Sequence, residues 1–292
     1  MVETVKLEQK SPQLRSERAR ALSRLFRNPG VVLGVVLILV TLLVALFAPF
    51  ISQDPLFQNL SVRNQAPSSA HIIGTDQLGR DVWARVAHGA RISLWVGFAV
   101  TALSLTVGTF IGLMAGSFGK GIDNILMRFT DIFLAFPSLI LAMAIAAALG
   151  SSVTNTILAV AVVSWPGYAR LVRAQVLALR EREFVEAATA LGSSRLRIAL
   201  QHLLPNVLTP ILIQASFDIG QAILIAAGLS FIGVGVQPPT PEWGAMVSET
   251  RNFISSAPWS SSAPALAILF TVLGFNLLGD GLRDVLDPRA RK

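Results

Sequence analysis

Three polar side chains stand in a stretch that is otherwise apolar. Gln214, Asp218 and Gln221 fall at i, i+4 and i+7 within residues 208–233, so they share one helix face. An ionised carboxylate is costly in hydrocarbon, so Asp218 must face protein or a water-filled path. The face is then either a polar wall of a translocation pathway or an interhelical hydrogen-bond cluster that holds a bundle together. Arg128 and Asp131, three residues apart, are spaced to pair along another segment. Asp280, Arg283 and Asp284 mark the end of a third segment, where an interfacial salt-bridge set is expected rather than a substrate contact.

Other chemistries find little support. Lys120 follows a glycine, but Met114 and Gly121 stand where a P-loop needs Gly and Ser or Thr. His71, His88 and His202 are not at metal-ligand spacing, and cysteine is absent, which excludes disulfides and thiolate sites. No nucleophile–base–acid set stands out.

The elements that would position these residues are membrane spans. Of 292 residues 53% are hydrophobic and only 14% charged, well under the quarter typical of soluble domains, so the chain reads as an all-α polytopic membrane protein. Residues 1–30 form a basic tail in which Leu22, Leu25 and Phe26 either line a surface helix or belong to a tail that only sets orientation. Residues 31–50 form the first transmembrane helix, uncleaved. Residues 51–91 form an outer loop, in which Val82, Trp83, Val86, Ala87 and Ala90 suggest an interfacial helix feeding the second span. Residues 92–282 carry five more spans, at about 92–114, 125–149, 153–171, 208–233 and 263–282. The fourth is expected to bend or break at Trp165-Pro166-Gly167. Residues 237–262 form an outer loop with Trp243, to meet a binding protein or anchor at the interface. Residues 283–292 form a second tail. With six spans, 19 of the 24 Lys and Arg lie on the side holding both termini and 5 on the other, which places the termini in the cytoplasm.

Residues 181–205 interrupt the apolar segments on that side. Phe184, Ala187, Ala188 and Leu191 form an amphipathic stripe, Gly192 stands at a helix C′ position, and Ser193 and Ser194 can cap a second helix. Leu196, Ala199, Leu200, Leu203 and Leu204 repeat the spacing, and Pro205 is expected to end the run. The result is a helical hairpin too short to span a bilayer, suited either to docking into another protein or to being an ordinary cytoplasmic hairpin.

Glu186-Ala187-Ala188, Gly192 and Leu204-Pro205 resemble the EAA loop, E-A-A-x3-G-x9-I-x-L-P, of binding-protein-dependent ABC importer permeases, with His202 where Ile is usual. Gly74-Thr75-Asp76 and Gly79-Arg80-Asp81, residues 228–246 and residues 276–288 resemble the second membrane subunit of dipeptide, oligopeptide and nickel importers. Taken alone, the first pair reads as two turns with an Asp cap. The resemblance implies a type I ABC importer permease fold of six transmembrane helices with a cytoplasmic EAA coupling hairpin. It makes Glu186, Ala187, Ala188, Gly192, Leu204 and Pro205 the ATPase-coupling residues. Its partners would be a homologous second permease subunit, two ATP-binding subunits holding ATP and Mg, and a periplasmic or lipid-anchored substrate-binding protein. This chain would carry no cofactor and catalyse nothing itself, in a bacterial inner membrane. Its cargo would be di- or oligopeptides, with nickel, glutathione or another peptide-like solute as alternatives. A different class, an ion-gradient-driven secondary transporter, is favoured by Asp218 and Arg128. It is disfavoured by the docking hairpin and the absence of visible inverted repeats.

Overall fold

A computed structural model describes residues 28–286 of the chain. The expected tail helix of Leu22, Leu25 and Phe26 and the last residues of the second tail lie outside the described residues. Nine helices are present among those described: α1 (Pro29–Ile51), α2 (Val82–Ser117), α3 (Lys120–Leu134), α4 (Ser138–Leu149), α5 (Val153–Arg180), α6 (Glu183–Ala190), α7 (Arg195–Ile232), α8 (Trp243–Thr250) and α9 (Pro258–Leu286). Five of them, α1, α2, α5, α7 and α9, are long and apolar enough to cross a membrane.

The sixth crossing is not one helix. The expected third span, residues 125–149, is two helices, α3 and α4, bent by 86°. Pro137 disfavours helix at Phe136 and has no N–H to donate, so the hydrogen-bond ladder stops at Ala135 and restarts from the Pro137 carbonyl. The pair nevertheless returns the chain across the bundle. Gly108 of α2 lies against Trp165 of α5, Gly112 against Ala169 and Gly116 against Val176, so α2 and α5 run parallel and the chain between them must come back. These glycines allow close approach: a Cβ on Gly112 would lie 2.5 Å from Ala169 O. At the bend, Phe129 and Phe133 of α3 pack on Trp165, with ring centroids 5.9 and 5.3 Å away.

Other boundaries also differ from expectation. The interfacial helix of the outer loop is not separate; Asp81 caps Ala84 N at 2.8 Å, and one helix runs from Val82 to Ser117. α5 is not broken at Pro166 and continues nine residues past 171. Its proline is buried, and Ser104 of α2 donates to Ala161 O, next to the Val162 carbonyl that the proline leaves without an intrahelical donor, so the gap in the ladder faces protein. The polar end of α5 is held by ion pairs: Arg170 meets Asp131 at 2.6 Å, and Arg173 grips Asp123 with two nitrogens. Asp131 therefore pairs across helices and not with Arg128, because α5 passes the acidic face of α3. Among the described residues no ion pair involves Asp280, Arg283 or Asp284, in contrast to the salt-bridge set expected there.

Candidate functional site

The residues with chemical potential gather at three levels. At the centre, α2, α5, α7 and the α3–α4 bend surround a cavity of about 340 Å³. Gln214, Asp218 and Gln221 all line it from α7. Gln214 Nε2 donates to Asp218 Oδ1 at 3.0 Å, a bond along one helix and not between helices. Thr101 and Ser104 of α2, Ser138 of α4 and Ser164 and Tyr168 of α5 complete the polar lining. Sequence reasoning did not select these partners. Ser and Thr are ordinary in spans, but Tyr168 is the only tyrosine in the chain and sits mid-span, which was a readable signal. Its side chain is buried, and neither its hydroxyl nor that of Thr101 has a well-formed hydrogen bond.

On the side of the termini, α6 and the start of α7 form the hairpin. Gly192 has φ +80°, its N–H bonds Thr189 O, and Ser193 N–H bonds Ala188 O, the double closure of a Schellman motif. Ser194 caps the next turn at Arg197 N. The expected apolar stripe is split. Val185 and Ala188 are buried with Ile198, Ala199 and Leu203 against Leu113, Val172 and Val176 of the spans. Phe184, Ala187 and Leu191 point outward beside Glu186, and Leu191 is 86% exposed. The side chains of Arg180 and Arg195 reach the carbonyls of Gly116 and Phe118 at the end of α2, which ties the hairpin to the bundle.

Pro205 does not end the second helix. Residues Ile198–Leu203 form a π segment in which Leu204 N–H bonds Ala199 O, and the helix continues as the fifth span. The wider turn absorbs a proline that would otherwise clash with the carbonyl four residues earlier. Asn206 Nδ2 donates to His202 O at 2.6 Å beside this irregular turn.

On the opposite side, the two Gly-Thr-Asp and Gly-Arg-Asp turns are capped as the sequence suggested: Asp76 Oδ1 accepts from Leu78 N and Arg80 N. They also build something the sequence did not disclose. Asp76 Oδ2 receives Arg80 Nε at 2.6 Å and Arg85 Nη1 at 2.9 Å, and both arginines continue to Glu249 of α8 at 3.0 and 2.6 Å. Both arginines are 1% exposed. Trp243 is also buried, so it neither anchors at an interface nor offers itself to a binding protein. Its indole lies on Gly89 and donates to Val86 O at 3.0 Å.

Glu242 caps α8 through Gly244 N and Ala245 N and is buried beside Ser93. Burial pushes its carboxyl above the ordinary value, against the pull of those two N–H groups. A raised folded-state value means that Glu242 favours the fold fully below its unfolded value, near 4.3, and that this contribution is lost as pH rises through the raised one. Thermal unfolding in detergent across that window should show the wild type losing stability relative to Glu242→Gln. A constant difference between the two would count against a buried, ionising Glu242.

Residues 108–292 match the family described as binding-protein-dependent transport system inner membrane component, and residues 16–67 match the N-terminal TM domain of oligopeptide transport permease C. The dipeptide transport system permease protein DppC of Alkalihalophilus pseudofirmus is 47% identical, over 93% of this chain and 90% of that protein. The glutathione transport system permease protein GsiD of Pectobacterium atrosepticum is 46% identical, over 78% of this chain and 76% of that protein. A solved structure of the MetNI methionine ABC transporter in an inward facing conformation shares the fold, with a TM-score of 0.56 at 18% identity, covering 70% of this chain and 97% of that one.

Proposed function

The chain belongs to the family of binding-protein-dependent transport system inner membrane components, and from that premise we propose that it moves di- or oligopeptides through a bacterial inner membrane as one of two permease subunits. It is a multi-pass membrane protein of an ABC importer, and its relatives are permeases and not enzymes. The observation that carries the peptide reading is the 47% identity to a dipeptide permease along nearly the whole chain. The glutathione permease relative supports a second cargo, a peptide-like solute of the same chemistry.

In this reading a substrate-binding protein delivers cargo to the face bearing α8, with both termini in the cytoplasm. Two ATP-binding partner subunits bind ATP and Mg and press on the hairpin. Glu186, Ala187 and Leu191 meet the partner. Ala188 and Val185 hold the hairpin to its own spans, and Gly192 sets its shape. Leu204 and Pro205 pass the motion into α7. Gln214, Asp218 and Gln221 form the polar wall past which cargo moves. The supports are the outward apolar residues of α6 and the cavity they connect to through one helix.

The test is uptake of labelled dipeptide by cells with and without this chain, other peptide importers removed and ATP depletion as control. Loss of ATP-dependent uptake on deletion is expected. Unchanged uptake would exclude peptide as the cargo, and labelled glutathione would be next. Uptake that survives ATP depletion and follows an ion gradient would exclude the ATP-driven class.

A further inference from the structure

Asp218 is the one charged side chain lining the central cavity. It has no cationic partner among the described residues; Arg170, two residues after Tyr168 on α5, is paired with Asp131. Asp218 Oδ1 accepts from Gln214. Across the same space lie two buried hydroxyls: Tyr168 Oη, which lies beside the Asp218 carboxylate without forming a well-aligned hydrogen bond, and Thr101 Oγ1, which has no partner. Buried polar groups rarely stay unpaired without a ligand or water to meet them. The wall therefore offers a negative charge and two groups able both to donate and to accept.

We propose that this cavity is a resting site for the ammonium end of a small zwitterionic cargo, with Asp218 as its counter-charge and the Tyr168 and Thr101 hydroxyls bonding its polar backbone. The proposal rests on the peptide reading above and adds where, and by which end, the cargo is held.

Alternative ligands fit less well. An anion would face the carboxylate, and an apolar solute would leave the hydroxyls unpaired. A tightly held metal ion is disfavoured, because no group of three or more His, Cys, Asp or Glu able to hold one occurs among the described residues. The volume of about 340 Å³ lies at the small end of ligand pockets, suited to a dipeptide and not to a long chain. Gln221 and Gln214 extend the polar face above and below Asp218, so a cargo can leave along α7 without entering a wholly apolar passage.

The site is separable from selection by the binding protein, because it can be assayed without that protein. The permease and ATPase complex, in lipid nanodiscs without nucleotide, would be titrated with Ala-Ala and with propionyl-alanine, which replaces the ammonium by hydrogen. Saturation-transfer NMR reads both at millimolar concentrations. Ala-Ala is expected to bind about 10- to 100-fold more tightly than propionyl-alanine, the usual worth of a charge-assisted contact. Asp218→Asn should bring Ala-Ala down to the level of propionyl-alanine and leave the latter unchanged, while Asp218→Glu should keep part of the difference. Equal affinity of the two ligands for the wild-type complex, or no binding of either, would overturn the proposal, as would an Asp218→Asn complex that still distinguishes them. If Asp218→Asn fails to assemble, the wild-type ligand pair decides alone. ATP-driven uptake of Ala-Ala into proteoliposomes with the binding protein separates the two levels. No uptake sinks the peptide reading; normal uptake without ammonium discrimination sinks only the resting site.

Discussion

Asp76→Asn is expected to destabilise the protein by about 3–5 kcal/mol, the usual cost of breaking a buried ion pair from one side. Asp76 is 2% exposed and meets both Arg80 and Arg85, which are buried with it. Without its charge the two guanidiniums share Glu249 alone, and Arg85 Nε already lacks a partner. The penalty comes mostly from the uncompensated cation and not from a lost attraction. Adding Arg85→Met to Asp76→Asn should therefore recover stability, because it removes the surplus charge and leaves the balanced pair of Arg80 and Glu249. Thermal unfolding of the two variants in detergent checks this. A double variant no more stable than Asp76→Asn would show that the cluster acts through packing instead.

Gly192→Val is expected to leave insertion near wild type and to cut ATP-driven uptake by about tenfold or more. An added Cβ at Gly192 would meet nothing within 4 Å, so the variant acts on backbone conformation alone. At φ +80° a β-branched residue costs more than the roughly 1–2 kcal/mol of an ordinary L-residue, enough to populate other shapes of the hairpin. Gly192→Asn, which tolerates this region, should keep most of the uptake. ATPase activity of the Gly192→Val complex should no longer respond to loaded binding protein. Wild-type uptake with normal coupling in Gly192→Val would remove the hairpin from the mechanism.

What could be read in the sequence depended on how local its cause is. The Gly192 turn follows from periodicity and one glycine, and the structure has it. The Gln214, Asp218 and Gln221 face follows from helical spacing, and the three line one cavity together. Proline is less legible, because its effect is decided by surroundings. Pro137 breaks a span, where α3 can turn its aromatic face onto Trp165. Pro166 does not, because it lies buried where α5 packs along α2. Pro205 does not, because a π turn widens to admit it. Hydropathy counts apolar residues along the chain and cannot see an 86° bend within them. The buried arginines were equally hidden: Arg80 and Arg85 look like loop and interface residues until Glu249, more than 160 residues away, closes the cluster.

The continuity of α7 bears on how force would travel. From Arg195 to Ile232 it is 38 residues, about 57 Å of unbroken helical chain with no loop between its ends. A push on Leu191 or Gly192 enters at one end of a rod whose middle carries Asp218 and whose far turns lie against Gly244 of α8. A loop would damp such a push; a rod turns or slides as a whole. Its softest joint by geometry is the stretch Ile198–Leu203, where the widened turn replaces the regular ladder, with a second missing bond at Pro210. Tightening or loosening that one turn rotates everything beyond it, so the pitch of six residues sets the angle at which the Asp218 face looks into the cavity.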